Sequence, residues 1–338
     1  MKLRILIVIL VLALLFSLGF YELQKRVALP PDFPSRTLIS TDAQVTVEIP
    51  AGATGSEIAR ILFDKHVVKS SLAYFRRAVA ERKSEKVAPG AHRLSLSISA
   101  NQALDQLLDP TRIPNLIKIS EGAWKSEIVD SMRKYGFSSQ EIERGFKELS
   151  LPAGFTNAEG LLYPAQYTFP SGTTATQALQ RMVNRFRSEK TGREILQGQG
   201  KYSPLELLTI ASIVQAEGDT ADFAKVARTI FNRLKISMPL QLDSTVHYIK
   251  RVRGQIFLSK SSTLINSAYN TYQHYGLPPT PIGNPGVDAM AAAINPGLGD
   301  WLYFITVAPR DTRFTASSEE FAQWKTLYEK NRKAGLFK

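Results

Sequence analysis

The chain contains no cysteine in its 338 residues. Disulfides, thiolate zinc sites and cysteine nucleophiles are thereby excluded, which fits an exported protein that does without disulfides. Histidine is scarce as well: His66, His92, His247 and His274 are the only four, too scattered to suggest a metal cluster. Neither a metal nor any other cofactor is expected. Acidic residues are outnumbered 30 to 42 by lysine and arginine, for a formal net charge of +12. Such a surplus normally invites nucleic acid. The sequence, however, offers no arginine-rich arm, zinc finger or helix-turn-helix, so no nucleic-acid partner is expected, and anionic lipid headgroups or wall polymers suit the charge better.

Charge-free apolar runs long enough to approach a membrane span are missing except at the front. Residues 5–20 carry no charge and are flanked by Lys2 and Arg4 on one side and by Glu22, Lys25 and Arg26 on the other. As a helix this run would span roughly 24 Å, a little short of a bilayer core, with Tyr21 as an interfacial extension. It reads as a membrane segment, either an uncleaved anchor or a signal peptide with Ser17 and Gly19 as a small-x-small site. The length of the run and the lack of alanine at that site favour the anchor. Residues 1–4 would then stay in the cytoplasm, 5–21 would cross the membrane once and the remainder would be exported. Residues 22–43, with Pro30, Pro31 and Pro34 and no periodic apolar pattern, read as a spacer.

An internal repeat follows. The segment 52–58, GATGSEI, recurs as 122–128, GAWKSEI, each copy preceded by an alternating apolar stretch. Ser70 and Ser71 are echoed by Ser138 and Ser139, again after a helical pattern. Two copies of a strand, glycine turn and helix are implied, with the serine before Glu-Ile as a helix-starting device in each. Residues 44–112 and 113–202 are therefore expected to form two small α+β modules, with the polar, glycine-bearing stretch 184–202 as a connector into a mixed α+β domain over 203–338.

That last domain opens with the most informative stretch. Ser203, Pro204 and Glu206 form a capping box with proline at the first helical position, and Leu205, Leu207, Leu208, Ile210, Ala211, Ile213 and Val214 leave no polar face. The helix ends on Glu217, followed by Gly218. If that end is buried, desolvation and the negative end of the helix dipole would both raise the carboxyl pKa toward that of an acid working at neutral pH. If it is exposed, the residue is ordinary. A second helix over 222–234 places Arg228 and Asn232 on one face. Read as a strand, 238–248 (MPLQLDSTVHY) puts Gln241, Asp243 and Thr245 on one side, an amide, a carboxylate and a hydroxyl suited to a sugar. Residues 267–286 set Tyr269, Asn270 and Tyr272 in a loop rigidified by proline and glycine, with flat faces for stacking on pyranose rings.

ASIVQAEG, VARTIFNRL, MPLQLDSTVHY, AYNTY, GLPPTPIGNPG and LYFITV follow one another in the order found in the MltG-type (YceG-like) endolytic murein transglycosylases, a family this chain resembles from the anchor to the C-terminal domain. The resemblance implies a LysM-like first module and a single-pass inner-membrane enzyme with an extracytoplasmic catalytic domain. It implies cleavage of nascent peptidoglycan strands between MurNAc and GlcNAc, with formation of 1,6-anhydroMurNAc, which would terminate elongation beside a peptidoglycan synthase. It puts the catalytic acid on Glu217. Gln215 stands where many members carry a second glutamate, and LQLDSTV has Ser244 in place of the proline of LQxDPTV. Gln241, Asp243, Thr245, Tyr269, Asn270, Tyr272 and Asn232 are the candidates for holding sugar. The competing expectation is a non-catalytic scaffold that grips glycan and recruits a synthase.

Overall fold

The computed structural model describes residues 29–39, 42–50, 52–81, 84–114, 116–170, 172–253 and 258–337. The expected anchor, 5–21, lies outside them. Among the described residues no helix is long and apolar enough to cross a membrane. The architecture is mixed α+β, with three two-stranded antiparallel sheets among many helices in the described residues. Two compact units divide the chain: residues up to 116 together with 168–172, and 117–167 together with 173–338.

The first unit follows the order strand, helix, helix, strand. Strand β1 (Gln44–Ile49) pairs antiparallel with β2 (Gly90–Ser95) in the register Gln44↔Ser95 to Ile49↔Gly90. Between them lie α1 (Gly55–Asp64) and α2 (Ser71–Glu81), and α3 (Ala100–Leu108) follows. Val47 and Ile49 alternate inward with Leu94, against Ile58, Leu62, Tyr74, Leu104 and Leu107, all buried. Period 2 on the strands and period 3.6 on the helices thus converge on one core.

The repeat is reproduced in kind and shortened in extent. The second copy is β3 (Ile117–Lys118), α4 (Lys125–Tyr135), α5 (Ser139–Glu148) and β4 (Gln166–Tyr167), and β3 and β4 again pair antiparallel. The matching glycines, Gly52 and Gly122, have φ of 77° and 74°, the left-handed turn each copy needs. The helix-starting residues are not the expected Ser56 and Ser126. Thr54 caps α1 in a box with Glu57, and Trp124 occupies the cap position of α4, its N–H donated to Glu127. Each serine lies one residue inside its helix, because the glycine turn closes two residues earlier. Ser138 does cap α5.

The expected connector over 184–202 is helical for most of its length. Helix α6 (Ala175–Ser188) runs into α7 (Lys190–Gln197), whose polar residues form the outer face of an amphipathic helix while Ile195 is fully buried. Gly192 lies so close to the preceding turn that a Cβ there would meet the Phe186 carbonyl.

Helix α8 (Pro204–Glu217) begins at Ser203 with the expected capping box and is buried from Leu207 to Val214. It packs against α11 (Val287–Ile294), α9 (Phe223–Lys235), α7 and α10 (Asp243–Lys250). The hairpin β5 (Tyr303–Ala308) and β6 (Asp311–Thr315), with α12 (Ser318–Lys333) on β5, completes the second unit. Gly218 is extended rather than left-handed, and a Cβ there would press on Val226 and Phe223. Glycine thus lets α9 fold back directly beneath Glu217.

Candidate active site

The expected strand over 238–248 is not formed. Residues 238–242 take no regular secondary structure, Gln241 adopts φ +49° in the left-handed region, and a helix, α10, starts at Asp243. Asp243 in its first turn and His247 and Lys250 in its last suit the helix dipole, and Arg251 closes it in the left-handed region. Gln241, Asp243 and Thr245 therefore do not share one side of a strand. Gln241 is exposed, Asp243 is half-buried and Thr245 is fully buried.

Starting α10 at this point delivers its free N–H groups to the end of α8. The first-turn N–H groups of a helix have no intrahelical acceptor, and that of Ser244 donates to Glu217 Oε1 at 3.0 Å. Glu217 is half-buried. Burial pushes its pKa above the ordinary carboxyl range and Asp243 adds to the rise, while Ser244 and Arg233 pull it back. Asp243 in turn accepts the Tyr272 hydroxyl at 2.5 Å. Tyr272 is raised by its own burial and then by that bond, so it stays a donor. Glu217, Asp243, Ser244 and Tyr272 thus form one connected group, with Arg233 of α9 facing it.

The loop expected to hold sugar is indeed ordered, largely by its own polar groups. Fully buried Asn270 donates Nδ2 to the Thr263 and Ile265 carbonyls at 3.1 and 2.8 Å and accepts the Tyr272 N–H at 3.0 Å. Thr245 Oγ1 bonds the Leu242 carbonyl (2.7 Å) and Thr271 Oγ1 (3.0 Å), and Thr271 also accepts the Leu242 N–H. Asn270 and Thr245 are committed to shaping the loop, with nothing left to reach a ligand. Asn232 is elsewhere: its amide donates to the Gly299 and Trp301 carbonyls, and it lines a separate cavity with Tyr202 and Phe231. The GLPPTPIGNPG stretch is clamped to α8, with Ser212 Oγ accepting the Ile282 N–H and Gln215 Oε1 accepting that of Gly286, both at 2.9 Å. Gln215 thus performs a structural task.

Two residues carry weight that the sequence did not disclose. Arg233, 7% exposed, donates Nε to the Leu302 carbonyl at 2.6 Å and Nη1 to the Leu240 carbonyl at 2.5 Å, joining α9, the entry to β5 and the segment leading into α10. Glu159 is 4% exposed and sits at the start of α4. Its carboxyl accepts the Lys125 N–H (2.9 Å), the Tyr248 hydroxyl (3.0 Å) and Asn284 Nδ2 (3.2 Å). Burial raises its pKa to about 7, against these donors. The only hint was an acidic residue in the aromatic stretch 159–169.

Glu159, Trp124, Lys125, Arg133, Tyr248 and Tyr269 are among the residues lining a cavity of about 670 Å³, with Arg251 also at its wall. Trp124 meets Tyr248 edge-on at 5.9 Å, and Tyr269 tilts against Tyr248 at 5.2 Å. Glu217 does not line this cavity, but α10 connects the two: Ser244 holds Glu217, and Tyr248, one turn or about 6 Å further along the helix, holds Glu159. Both acids are raised, yet they differ in what they can do. Each Glu159 oxygen already accepts a hydrogen bond and the residue is 4% exposed, whereas Glu217 has one bonded oxygen and partial exposure. Of the two, Glu217 has the oxygen that carries no hydrogen bond from the protein backbone.

The raised Glu159 makes stability pH-dependent. Its protonated form is favoured by the fold, so the contribution is fully present below the ordinary value of 4.5 and is lost as pH rises through about 7. A difference of that size corresponds to about 3 kcal/mol. Urea midpoints between pH 5 and pH 8 are expected to fall accordingly, and the Glu159→Gln protein is expected to lack most of that slope; an equal slope in both proteins would show that Glu159 titrates normally.

A family model described as the YceG-like family matches residues 47–326. The chain is 30% identical over 306 residues to the endolytic murein transglycosylase of Bacillus subtilis, covering 84% of each protein. It is 29% identical over 347 residues to that of Streptococcus pneumoniae (strain D39), covering 91% of this chain and 62% of the pneumococcal protein. Among solved structures, a YceG-like protein from Listeria monocytogenes matches with a TM-score of 0.54 and 28% identity, over 83% of this chain and 98% of that one.

Proposed function

Because this chain belongs to the YceG-like family, we propose that it is a lytic transglycosylase of peptidoglycan in which Glu217 is both acid and base. Protonated Glu217 gives its proton to the glycosidic oxygen as the bond from C1 of N-acetylmuramic acid breaks, leaving positive charge at C1. The carboxylate then takes the proton of the same sugar's C6 hydroxyl while that oxygen bonds to C1, closing a 1,6-anhydro ring. No water is consumed, and Glu217 ends protonated as it began. The observation that carries this reading is the half-buried carboxyl with a raised pKa and a single hydrogen bond, set beside Asp243 and Tyr272. Asp243 supplies fixed negative charge near the forming oxocarbenium, with Tyr272 holding it in place.

The cavity beside Glu159 is the strongest candidate for the flanking sugars. Its volume, about 670 Å³, lies in the range of ligand sites, and its aromatic walls and cationic edge suit a saccharide bearing acidic peptide stems. Reversing the exposed cation in Arg251→Glu is expected to raise KM for peptide-bearing strands about five- to tenfold, the effect of roughly 1 kcal/mol of charge interaction. An unchanged KM would move the substrate away from this cavity.

Anchoring by residues 5–21, a cytoplasmic N-terminus and an extracytoplasmic catalytic unit fit this reading, as do termination of nascent strands and a synthase partner. The strand–helix–helix–strand order of the first unit supports a LysM-like role in gripping glycan. The decisive experiment is incubation with uncrosslinked glycan strands followed by mass spectrometry. Shortened chains lighter by one water than hydrolysis products support the transglycosylase, while reducing ends would make it a hydrolase and intact strands a scaffold.

A further inference from the structure

Glu217 stands between two opposed helix ends. It is the last residue of α8, where the dipole disfavours negative charge, and it faces the first turn of α10, where the dipole favours it. One residue makes the second contact. Ser244 donates its N–H to Glu217 Oε1 at 3.0 Å, and its hydroxyl is buried without completing any hydrogen bond. The hydroxyl counts, with the N–H, among the influences that lower the Glu217 pKa against its burial. A buried hydroxyl without a partner costs free energy, and the obvious partner is the adjacent carboxyl in its charged form.

The chemistry shows why such a donor pair is needed. Burial alone would leave Glu217 a weak acid, protonated but slow to release its proton. Every donor aimed at the carboxylate strengthens the acid and weakens the base, so one residue can adjust both halves of the reaction. Proline, which the LQxDPTV pattern carries at this position, has neither an N–H nor a hydroxyl to offer. This chain therefore offers its acid a bonded N–H, and beside it a free hydroxyl, where that pattern offers neither.

We propose that Ser244 is a positioning and tuning residue, giving its N–H to Glu217 throughout and its hydroxyl once Glu217 has surrendered its proton. The proposal rests on Glu217 being the acid and base of the reaction above. Other groups face the same carboxyl: Asp243 from α10, Arg233 from α9 and Tyr272 from the loop after it, the last through Asp243. None of these is altered by changing Ser244.

The test is the pH profile of kcat/KM on uncrosslinked strands for the full chain, Ser244→Ala and Ser244→Pro. Activity requires protonated Glu217 at the start, so the alkaline limb marks its pKa. Removing donors to the carboxylate raises that pKa and carries the limb to higher pH, by about one unit for Ser244→Pro and by less for Ser244→Ala. The plateau rate should fall in both. The second position of α10 has no intrahelical acceptor for its N–H, so proline removes no helix bond there, and Ser244→Ala keeps the N–H in case proline disturbs the turn. Limbs that coincide with that of the unaltered protein, or move to lower pH, overturn the proposal even if rates drop, because a packing role lowers the rate without moving the limb. Failure of the underlying reading looks different: the unaltered protein would then produce no anhydro ends at all.

Discussion

Glu217→Gln is expected to bind glycan strands and release no anhydro-ended product, with turnover lowered about a thousandfold or more. Glutamine matches the side chain in shape, and its carbonyl oxygen can still accept the Ser244 N–H that Glu217 accepts at 3.0 Å. What it cannot do is give up a proton to the glycosidic oxygen or take one from the C6 hydroxyl. The loss should therefore fall on kcat while strand binding persists. Mass spectrometry of the products together with a binding measurement on the same protein checks both halves. Anhydro product at a rate near that of the unaltered chain would remove Glu217 from the chemistry and return attention to Glu159, the other acid with a raised pKa.

Arg233→Met is expected to cost about 2–5 kcal/mol of stability, the scale of leaving two buried carbonyls without their charged donor. Methionine fills much of the same volume but leaves the Leu302 and Leu240 carbonyls without the donors they now have at 2.6 and 2.5 Å. It also removes the guanidinium that stacks over the Tyr303 ring at 5.4 Å. The consequence reaches the site, because the Leu240 contact positions the segment that turns into α10. Chemical denaturation of the full chain gives the number directly. A loss below about 1 kcal/mol would mean that water or relaxation satisfies those carbonyls, and that the joint between α9 and the α10 approach is held by something else.

Both experiments depend on features that were legible in the sequence to very different degrees. The helix from Pro204 to Glu217 could be read almost to the residue, because a capping box, a proline and an unbroken apolar run are local signals. The repeated strand, glycine turn and helix was visible as GATGSEI and GAWKSEI, since a left-handed glycine turn leaves its mark wherever it is used; the second helix and closing strand of each copy were supplied by the structure. The segment 238–248 misled because its apolar and polar residues go on alternating past Gln241, and nothing in the composition announces that this residue takes φ +49°. Thr271 holds that turn from 30 residues downstream, accepting the Gln241 and Leu242 N–H groups through its carbonyl and hydroxyl oxygens.

By itself, then, the sequence determined the helix from Pro204 to Glu217 with its cap, the paired strand, glycine turn and helix units, and the lack of any thiol. Those are properties of neighbours in the chain, set by backbone sterics and periodicity. Tertiary structure decided that α10 begins at Asp243 and aims an N–H at Glu217. It decided as well that Glu159 is sealed under three donors and that Asn270 and Thr245 shape the loop rather than touch a ligand. A carboxyl's pKa and reach depend on which groups share its few ångströms of space, and those groups come from helices and loops far apart in the chain.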